Sequence, residues 1–151
     1  MGRLLGIARA PAKRAPLIEM AEAEIGTADG IQGDIRGAKP GRQVTVLFQE
    51  GWNDACRELG VELPWVTRWA NLLIEGVAVP REGKRLIIGA PRSNRRQALV
   101  LEVTTETQPC QVMEAAHRGL RRALAPDWRG GVCCRVIAGG RIRVGDSVEV
   151  A

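Results

Sequence analysis

The 151-residue sequence contains no tyrosine, one phenylalanine and one histidine, so four tryptophans supply most of its aromatic side chains. So few aromatic rings argue against a protein that binds single-stranded nucleic acid by base stacking. The single histidine, His117, and the lack of any C-x-x-C spacing argue against a cysteine–histidine zinc cage. The chain also lacks G-x-S-x-G, Walker A and dinucleotide-binding motifs, which disfavours a serine hydrolase, a nucleotidase or a Rossmann dehydrogenase.

Long apolar runs are absent as well. The longest candidate, Leu72–Pro80, is interrupted by Glu75 and falls short of the roughly 20 residues that a membrane-spanning helix needs. The N-terminal residues are basic, but their apolar stretch is too short for a cleaved signal peptide. We therefore expect a cytoplasmic protein that does not associate with a membrane.

The overall composition is that of a globular protein. With 45% hydrophobic and 26% charged residues, the chain is expected to form one domain over residues 1–151. The net charge is +5, and only three of the 22 basic residues are lysines. Guanidinium groups grip oxyanions through paired hydrogen bonds, but a GC-rich genome produces the same excess of arginine. A modest charge spread along the chain does not predict nucleic-acid binding, and we do not expect that partner.

Four cysteines are expected to be free thiols. The chain shows no secretory signal and is long enough to build a core without disulfides. Cys133 and Cys134 are adjacent, so in a strand they point to opposite faces and one of them is expected to be buried. The cysteines are Cys56, Cys110, Cys133 and Cys134.

Short segments rich in apolar and β-branched residues predict a mainly β protein. In Ala98–Thr105, alternate residues are apolar, as in a strand that covers a core. Residues 17–25 fit extended structure or a short helix over Glu19–Glu24. About seven strands with two or three short helices predict a small β-barrel with helical excursions. The predicted strands are Arg3–Arg9, Gln43–Gln49, Leu72–Val77, Arg85–Gly89, Ala98–Thr105, Gly131–Ala138 and Asp146–Val150.

Two amphipathic segments predict helices. One covers Glu50–Leu59 and is capped by Gly60, and the other covers Cys110–Leu124. Residues 26–42 form a long glycine-rich connection, and such connections are more often functional than idle. Residues 90–97 form a basic loop. The second helix carries an apolar stripe (Met113, Ala116, Leu120, Leu124) and three arginines expected to face solvent (Arg118, Arg121, Arg122).

Cys110 is the most informative single residue. It follows Thr107-Gln108-Pro109 and is predicted to lie in the first turn of a helix. The unpaired backbone N–H groups and the helix dipole stabilise a thiolate there, and sulfur transfer and soft-metal ligation both require a thiolate. The alternative is a buried, inert cysteine. His117 is seven residues away, about 10 Å along a helix axis, which is too far for direct proton transfer.

Four segments, in order, resemble the MOSC domain, the C-terminal domain of molybdenum cofactor sulfurases, which also occurs as small stand-alone proteins. The resemblance extends over roughly residues 3–150. The segments are Gly33-Asp34 through GRQVTVL (Gly41–Leu47), RWANLLIEGV (Arg68–Val77), LEVTTETQPCQVM (Leu101–Met113) and RGGVCCRVIAGGRIRVGDSVEV (Arg129–Val150).

The resemblance implies a closed barrel of the pyruvate kinase type and a role for one cysteine. In the family, the cysteine matching Cys110 is proposed to accept sulfur from a desulfurase. In the related amidoxime-reducing component it ligates the molybdenum of a molybdopterin cofactor. Asn71 matches the family's N-L-L-x-G asparagine and would line the cofactor pocket. Arg68 and Arg42 would contact the cofactor phosphate, with solvated surface charge as the alternative for both. Arg68 lies three residues before the asparagine, whereas the amidoxime-reducing proteins place an arginine two before it.

The resemblance also limits what this chain is expected to do. It matches no domain with a pyridoxal phosphate site and no N-terminal extension like that of the amidoxime-reducing proteins. The leading hypothesis is a MOSC-type protein that binds molybdenum cofactor or carries sulfur on Cys110. It would support the reduction of N-hydroxylated compounds or sulfur delivery to metal centres, with a cysteine desulfurase or a redox protein as partner. The alternative is a non-enzymatic barrel that binds RNA or a protein through Arg92, Arg95, Arg96 and the Arg118–Arg122 face.

Overall fold

Seven strands close into a mixed β-barrel in the computed structural model, which describes residues 1–89 and 97–151. The strands are β1 (Gly2–Arg9), β2 (Ile18–Met20), β3 (Glu22–Gly26), β4 (Gly30–Ile31), β5 (Val44–Phe48), β6 (Leu72–Glu75), β7 (Arg85–Ile88), β8 (Leu99–Glu106), β9 (Val132–Ala138), β10 (Gly140–Arg143) and β11 (Ser147–Val150). Around the barrel the order is β1, β6, β5, β9, β8, β7 and β11, and the pairing of β11 with β1 closes the circle. The predicted closed barrel of about seven strands is confirmed.

Short helices cross the outside of this barrel. They are α1 (Gln49–Leu59), α2 (Gln111–Ala116) and α3 (Leu120–Ala123), with 3-10 turns at Trp65–Arg68 and Pro126–Trp128. The helix α1 connects β5 to β6, which pair in parallel, whereas the other barrel strands pair antiparallel. As predicted, Gly60 ends α1 with φ at 66°, a left-handed conformation that glycine adopts without steric cost.

The core divides into two apolar clusters. The first fills the barrel and draws on alternate residues of each strand, such as Leu99, Leu101 and Val103 of β8, as the alternation predicted. The second lies outside the barrel wall, where α1, α2 and α3 pack over β5 and β6. Trp52 of α1 and Met113 of α2 are buried in it. The second cluster therefore fixes the helical segment that follows β8, and this segment begins next to Cys110.

The predicted continuous helix over Cys110–Leu124 is wrong. The helix α2 ends at Ala116, because His117 adopts an extended conformation, with φ at −158° and ψ at 130°. Gly119 follows with φ at 88°, and its N–H donates to Oε2 of Glu114 at 2.9 Å. Met113, Leu120 and Leu124 are buried as predicted, whereas Ala116 is exposed. The three arginines of this segment face solvent, as expected.

The remaining short strands lie outside the closed barrel. The segment from residue 17 to residue 25, left open between strand and helix, is extended and contains β2 and most of β3. The strands β3, β4 and β10 form a separate three-stranded sheet. The predicted basic loop at residues 90–97 falls, apart from Gln97, outside the described residues. In the two described parts of the chain, no helix is both long enough and apolar enough to span a membrane.

Candidate functional site

Arg68 points into the protein at the end of the 3-10 turn Trp65–Arg68. It is only 7% exposed. Its Nε donates to the carbonyl oxygen of Gly130 at 3.0 Å, and its Nη2 donates to that of Thr107 at 2.8 Å. The guanidinium therefore joins the loop after β8 to the turn before β9. The structure places Arg68 inside the protein, so the alternative of a solvated surface charge is wrong for this residue.

The two residues whose carbonyl groups bind Arg68, Thr107 and Gly130, are themselves packed closely against each other. The N–H of Thr107 donates to the carbonyl oxygen of Gly131 at 2.9 Å. A Cβ atom on Gly130 would lie 2.5 Å from the oxygen of Thr107 and 3.0 Å from Nη2 of Arg68. Only a glycine therefore allows Arg68 and Thr107 to approach this turn as closely as they do.

Cys110 lies at the end of the loop that Arg68 holds. It is exposed, and it precedes α2 as its N-cap residue rather than lying in the first turn. Its backbone is extended, with φ at −128° and ψ at −176°, and its carbonyl oxygen accepts from the N–H of Met113 at 3.0 Å. The alternative of a buried, inert cysteine is thereby excluded. The helix it precedes has only six residues. The feature that makes the thiol available for chemistry is therefore its exposure to solvent rather than a long helix.

The other three cysteines are buried. Cys134 lies among apolar side chains inside the barrel, and burial raises the pKa of its thiol. Cys133 leaves the opposite face of β9, where its Sγ lies 3.3 Å from Oγ1 of Thr107. The expectation that the two adjacent side chains face opposite ways is met, but both thiols are buried, because Arg68 and the Thr107 loop cover the outer one.

The charge of Arg68 is not balanced by a direct ion pair in the described part of the chain. Among the described residues, no aspartate or glutamate forms an ion pair with it. Burial lowers the pKa of Arg68, and negative charge at Cys110, Cys133 and Glu106 opposes that shift. A buried cation that only neutral carbonyls solvate is costly, so the site favours negative charge nearby. The side chains that could supply it are those of Cys110, Cys133 and Glu106.

One edge of the Arg68 guanidinium remains open. Within the described residues, its Nη1 atom has no acceptor, although Nε and Nη2 each have one. No described side-chain nitrogen is both sealed from solvent and without a partner, so Nη1 must reach the surface. This edge is therefore the part of the guanidinium that neither carbonyl occupies.

Asn71 belongs to a different set of hydrogen bonds. Its Nδ2 donates to the carbonyl oxygen of Ala8 at 3.1 Å and to Oδ2 of Asp34 at 2.7 Å. Its Oδ1 accepts from the N–H of Thr45 at 3.0 Å and is 3.3 Å from the Thr45 hydroxyl. Both amide hydrogens are used inside the protein, and Asn71 is 1% exposed. To bind a cofactor phosphate, Asn71 would have to break these bonds.

Asp34 anchors the long glycine-rich connection through this set. Its carboxylate accepts from the N–H of Ala10 at 2.9 Å and from the side chain of Arg36, whose Nη2 lies 3.1 Å away. Arg36 in turn donates from Nη1 to the carbonyl oxygen of Trp69 at 2.6 Å. The connection 26–42 is thus fastened to the same chain segment that presents Arg68 and Asn71.

Arg42 and His117 lie apart from these groups. Arg42 is exposed just before β5, and its side chain makes no hydrogen bond or ion pair with a described residue. His117 follows α2, and its Nδ1 lies 2.9 Å from the carbonyl oxygen of Arg118. No hydrogen bond joins it to Cys110 in the described chain. Of the predicted site residues, Arg68 alone holds the loop that leads to Cys110, through its bond to the Thr107 carbonyl in the described part of the chain.

An open pocket of about 510 Å³ lies beside the Cys110 loop. Gln108 and Pro109 form one wall, and both acidic and basic side chains line the rest. The charged groups are Glu106, Glu114, Arg121 and Arg122. A small molecule that carries both charges, or a charged segment of a partner protein, could reach the loop from this side.

Sequence analysis missed three residues of this site: Thr107, Gly130 and Cys133. Two signals were available, since T-x-x-C places Thr107 three residues before the exposed thiol and R-G-G precedes the paired cysteines. Neither signal identifies a partner for Arg68, because its partners are far away in the sequence. Thr107 is 39 positions from Arg68, and Gly130 is 62 positions from it.

Comparisons with known proteins agree with this architecture. A family model described as the MOSC domain matches residues 33–149. The fold is similar to that of the YUAD protein from Bacillus subtilis, with a TM-score of 0.79 and 21% identity over 99% of this chain and 96% of that chain. YiiM from Geobacillus stearothermophilus has a TM-score of 0.68 and 15% identity, over 99% of this chain and 73% of its own.

YiiM from Escherichia coli is similar to the same degree, with a TM-score of 0.68 and 17% identity, over 99% of this chain and 69% of its own. At these identities the likeness concerns the fold alone. No curated protein matches the sequence. Because the family match spans most of the chain, the protein belongs to the MOSC domain family.

Proposed function

We propose that this MOSC-family protein carries sulfur on Cys110 as a persulfide. The observation that carries the proposal is the exposed Cys110 thiol at the end of a loop held by a buried arginine without a carboxylate partner. A sulfur acceptor must be reachable by its donor, and it reacts as a thiolate. Of the four cysteines, Cys110 meets the first requirement. Arg68 places a positive charge on the loop that leads to it, through the bond to the Thr107 carbonyl.

Sulfur transfer to Cys110 needs a donor that places its own persulfide within reach. A cysteine desulfurase is the class of partner that generates such a persulfide. The pocket beside Gln108 and Pro109 contains charges of both signs, which suits a charged loop of a protein or an amino-acid-derived donor. Delivery of sulfur to a metal centre would be the downstream step.

Molybdenum ligation by Cys110 is the second candidate, and the family association with molybdenum cofactor supports it. An accessible thiolate is a suitable soft donor for molybdenum. The expected phosphate-binding set does not fit as well, because the Asn71 amide is fully used and two Arg68 nitrogens already bind carbonyls. The open Nη1 of Arg68 and the exposed Arg42 are the remaining groups that could bind an anion. Reduction of N-hydroxylated compounds would require this candidate.

Intact mass and elemental analysis test both candidates. The protein is treated with a low-molecular-mass persulfide donor, and separately purified from a host that makes molybdopterin. Sulfur carrying predicts a gain of about 32 Da, one sulfur atom, that maps to Cys110. The Cys110→Ser variant should lose the adduct, and the matched Cys56→Ser variant should keep it. Molybdenum near one per chain without the adduct would instead support ligation. The absence of both the adduct and molybdenum would overturn both candidates.

The alternative of a nucleic-acid-binding barrel predicts a different result. The exposed side chains of Arg118, Arg121 and Arg122 could contact the phosphates of an RNA. Such binding weakens steeply with salt, because each phosphate contact releases counterions. We expect little binding of generic RNA and a shallow salt dependence. A steep decrease in affinity between low and physiological salt would favour the alternative.

A further inference from the structure

Cys133 is a buried thiol that the sulfur-carrying function does not use. It is 2% exposed and lies in β9 next to Cys134, but the two side chains leave opposite faces of the strand. Cys134 belongs to the apolar cluster inside the barrel. Cys133 belongs to neither apolar cluster of the described chain and faces the polar groups around Arg68 instead. Its surroundings therefore differ chemically from those of an inert core cysteine.

Several contacts tie Cys133 to the loop that ends at Cys110. Its Sγ lies 3.3 Å from the hydroxyl of Thr107, and the carbonyl of the same threonine accepts from Arg68 at 2.8 Å. The Thr107 N–H donates to Gly131, two residues before Cys133. Because Thr107 precedes Cys110 by three residues, the loop bearing the exposed thiol is anchored beside the buried one.

Arg68 links the two thiols electrostatically. Burial lowers the pKa of Arg68, and negative charge at Cys110, Cys133 or Glu106 opposes that shift. No described carboxylate forms an ion pair with Arg68. A negative charge on either sulfur would compensate the buried cation. The Thr107 hydroxyl is placed to donate a hydrogen bond to an anionic Cys133 sulfur, which would stabilise the attacking form.

We propose that Cys133 discharges this site by displacing the sulfur held on Cys110 and releasing it as hydrogen sulfide. The proposal rests on the proposed function, since it requires a persulfide on Cys110. In this proposal the site uses two cysteines: Cys110 accepts the sulfur, and the buried Cys133 releases it.

The reaction is an exchange between a thiol and a persulfide. The Cys133 sulfur attacks the inner sulfur of the Cys110 persulfide, so a bond forms between the two cysteine sulfurs. The sulfur–sulfur bond of the persulfide breaks, and its electron pair leaves with the outer sulfur as hydrosulfide. The proton of the Cys133 thiol completes hydrogen sulfide. The outer sulfur is reduced and the Cys133 sulfur is oxidised, while the Cys110 sulfur keeps its oxidation state. A thiol reductant then regenerates both thiols from the disulfide.

The test follows sulfide release and mass on the full chain. Wild-type protein is loaded with a low-molecular-mass persulfide donor, freed of excess donor and incubated without reductant. We expect about one sulfide per chain and a final mass about 2 Da below that of the reduced protein. Peptide mapping should identify a Cys110–Cys133 disulfide. The Cys133→Ser and Cys133→Ala variants should keep the sulfur adduct and release sulfide at least tenfold more slowly.

A control distinguishes loss of the exchange from loss of structure. The Cys56→Ala variant removes another buried thiol, which lies within α1, and it should release sulfide at the wild-type rate. Mild oxidation of unloaded wild-type protein with diamide adds a test that needs no variant, since it should join the same two cysteines.

The outcomes separate this inference from the sulfur-carrying function. If the wild type releases no sulfide and neither it nor the Cys133→Ser variant gains sulfur, the proposed function fails and the discharge step fails with it. If Cys110 gains sulfur but Cys133→Ser releases sulfide as fast as the wild type, only the discharge step is overturned. Diamide treatment that leaves Cys110 and Cys133 unlinked also overturns the discharge step, whatever the loading result.

Discussion

Nη2 of Arg68 lies 2.8 Å from the carbonyl oxygen of Thr107, a residue 39 positions later in the chain. This bond connects a 3-10 turn that follows α1 with the loop that presents Cys110. The second bond of Arg68, to Gly130, extends the same connection to the strand that carries Cys133. A single buried side chain thereby determines how three distant segments meet at the candidate site.

Replacing Arg68 is expected to destabilise the protein. The Arg68→Ala variant leaves the buried carbonyls of Thr107 and Gly130 without donors, at roughly 2–4 kcal/mol in total. Urea denaturation at neutral pH measures this loss in the free energy of unfolding. Arg57→Ala is the matched control, because Arg57 is exposed and, among the residues that the structure describes, its side chain pairs only with Asp54. It should change stability by less than about 0.5 kcal/mol. Equal effects of both substitutions would contradict the clamp role of Arg68.

Only one of the four thiols should react rapidly in the folded protein. Cys110 is exposed, whereas Cys56, Cys133 and Cys134 are buried, and an external reagent reaches a buried thiol only after the structure opens. Titration with a chromogenic disulfide reagent should show one fast thiol per chain, and all four in denaturant. The Cys110→Ser variant should lose the fast phase. A fast phase that survives this substitution would show that another thiol is accessible.

Asn71 is expected to be a structural residue. Asn71→Ala removes an amide that bonds Ala8, Asp34 and Thr45, and the unpaired groups left behind should cost about 2–4 kcal/mol. Thermal and urea denaturation measure that cost. The reactivity of Cys110 at a temperature where the variant is folded should stay within twofold of the wild type. A stable variant that has lost anion or cofactor binding would instead support the cofactor role predicted from the resemblance.

Stability should fall at low pH through Asp34. Burial alone would raise the pKa of Asp34, but hydrogen bonds from Arg36 and from the N–H of Ala10 outweigh it and hold the pKa below the ordinary aspartate value. The unfolded chain therefore takes up the proton first. The stabilisation is present above the unfolded pKa of about 4 and is lost as the pH falls from there through the lower folded value.

The Asp34→Asn variant tests this dependence. It should be less stable than the wild type at pH 7, because an amide cannot accept every hydrogen bond that the carboxylate accepts. Its free energy of unfolding should also decline less steeply in acid, since the titrating group is gone. Urea denaturation as a function of pH measures both effects. Parallel curves for the two proteins would contradict the assignment to Asp34.

Two glycine-to-alanine substitutions should differ sharply in effect. A Cβ on Gly130 would lie 2.5 Å from the Thr107 oxygen, whereas one on Gly26 would meet no atom within 4 Å. We expect Gly130→Ala to cost at least about 2 kcal/mol and to slow Cys110 modification, because the Arg68–Thr107 clamp must shift. Gly26→Ala should change stability by less than about 1 kcal/mol. Both are measured by urea denaturation and by thiol reactivity, and similar effects would contradict the close packing at Gly130.

The sequence by itself determined the elements whose signals are local. Alternation in segments such as Ala98–Thr105 depends only on the two-residue period of a strand, and its buried face is the predicted one. Likewise, Gly60 ends α1 because a left-handed residue suits a helix terminus. The ordered MOSC motifs singled out Cys110 as the candidate thiol, and the structure leaves that thiol accessible.

Only the tertiary structure decided how the site is assembled. The periodicity of Cys110–Leu124 allows one continuous helix, but the chain breaks at His117 and Gly119, where Glu114 binds the Gly119 N–H. Arg68 and Asn71 are three residues apart and were predicted to share one role. Yet the partners of Arg68 lie later in the sequence, whereas the side-chain partners of Asn71 lie earlier in it. Hydrogen bonds to groups 26 to 63 residues away fix their directions, and no local pattern of side chains encodes contacts across that distance.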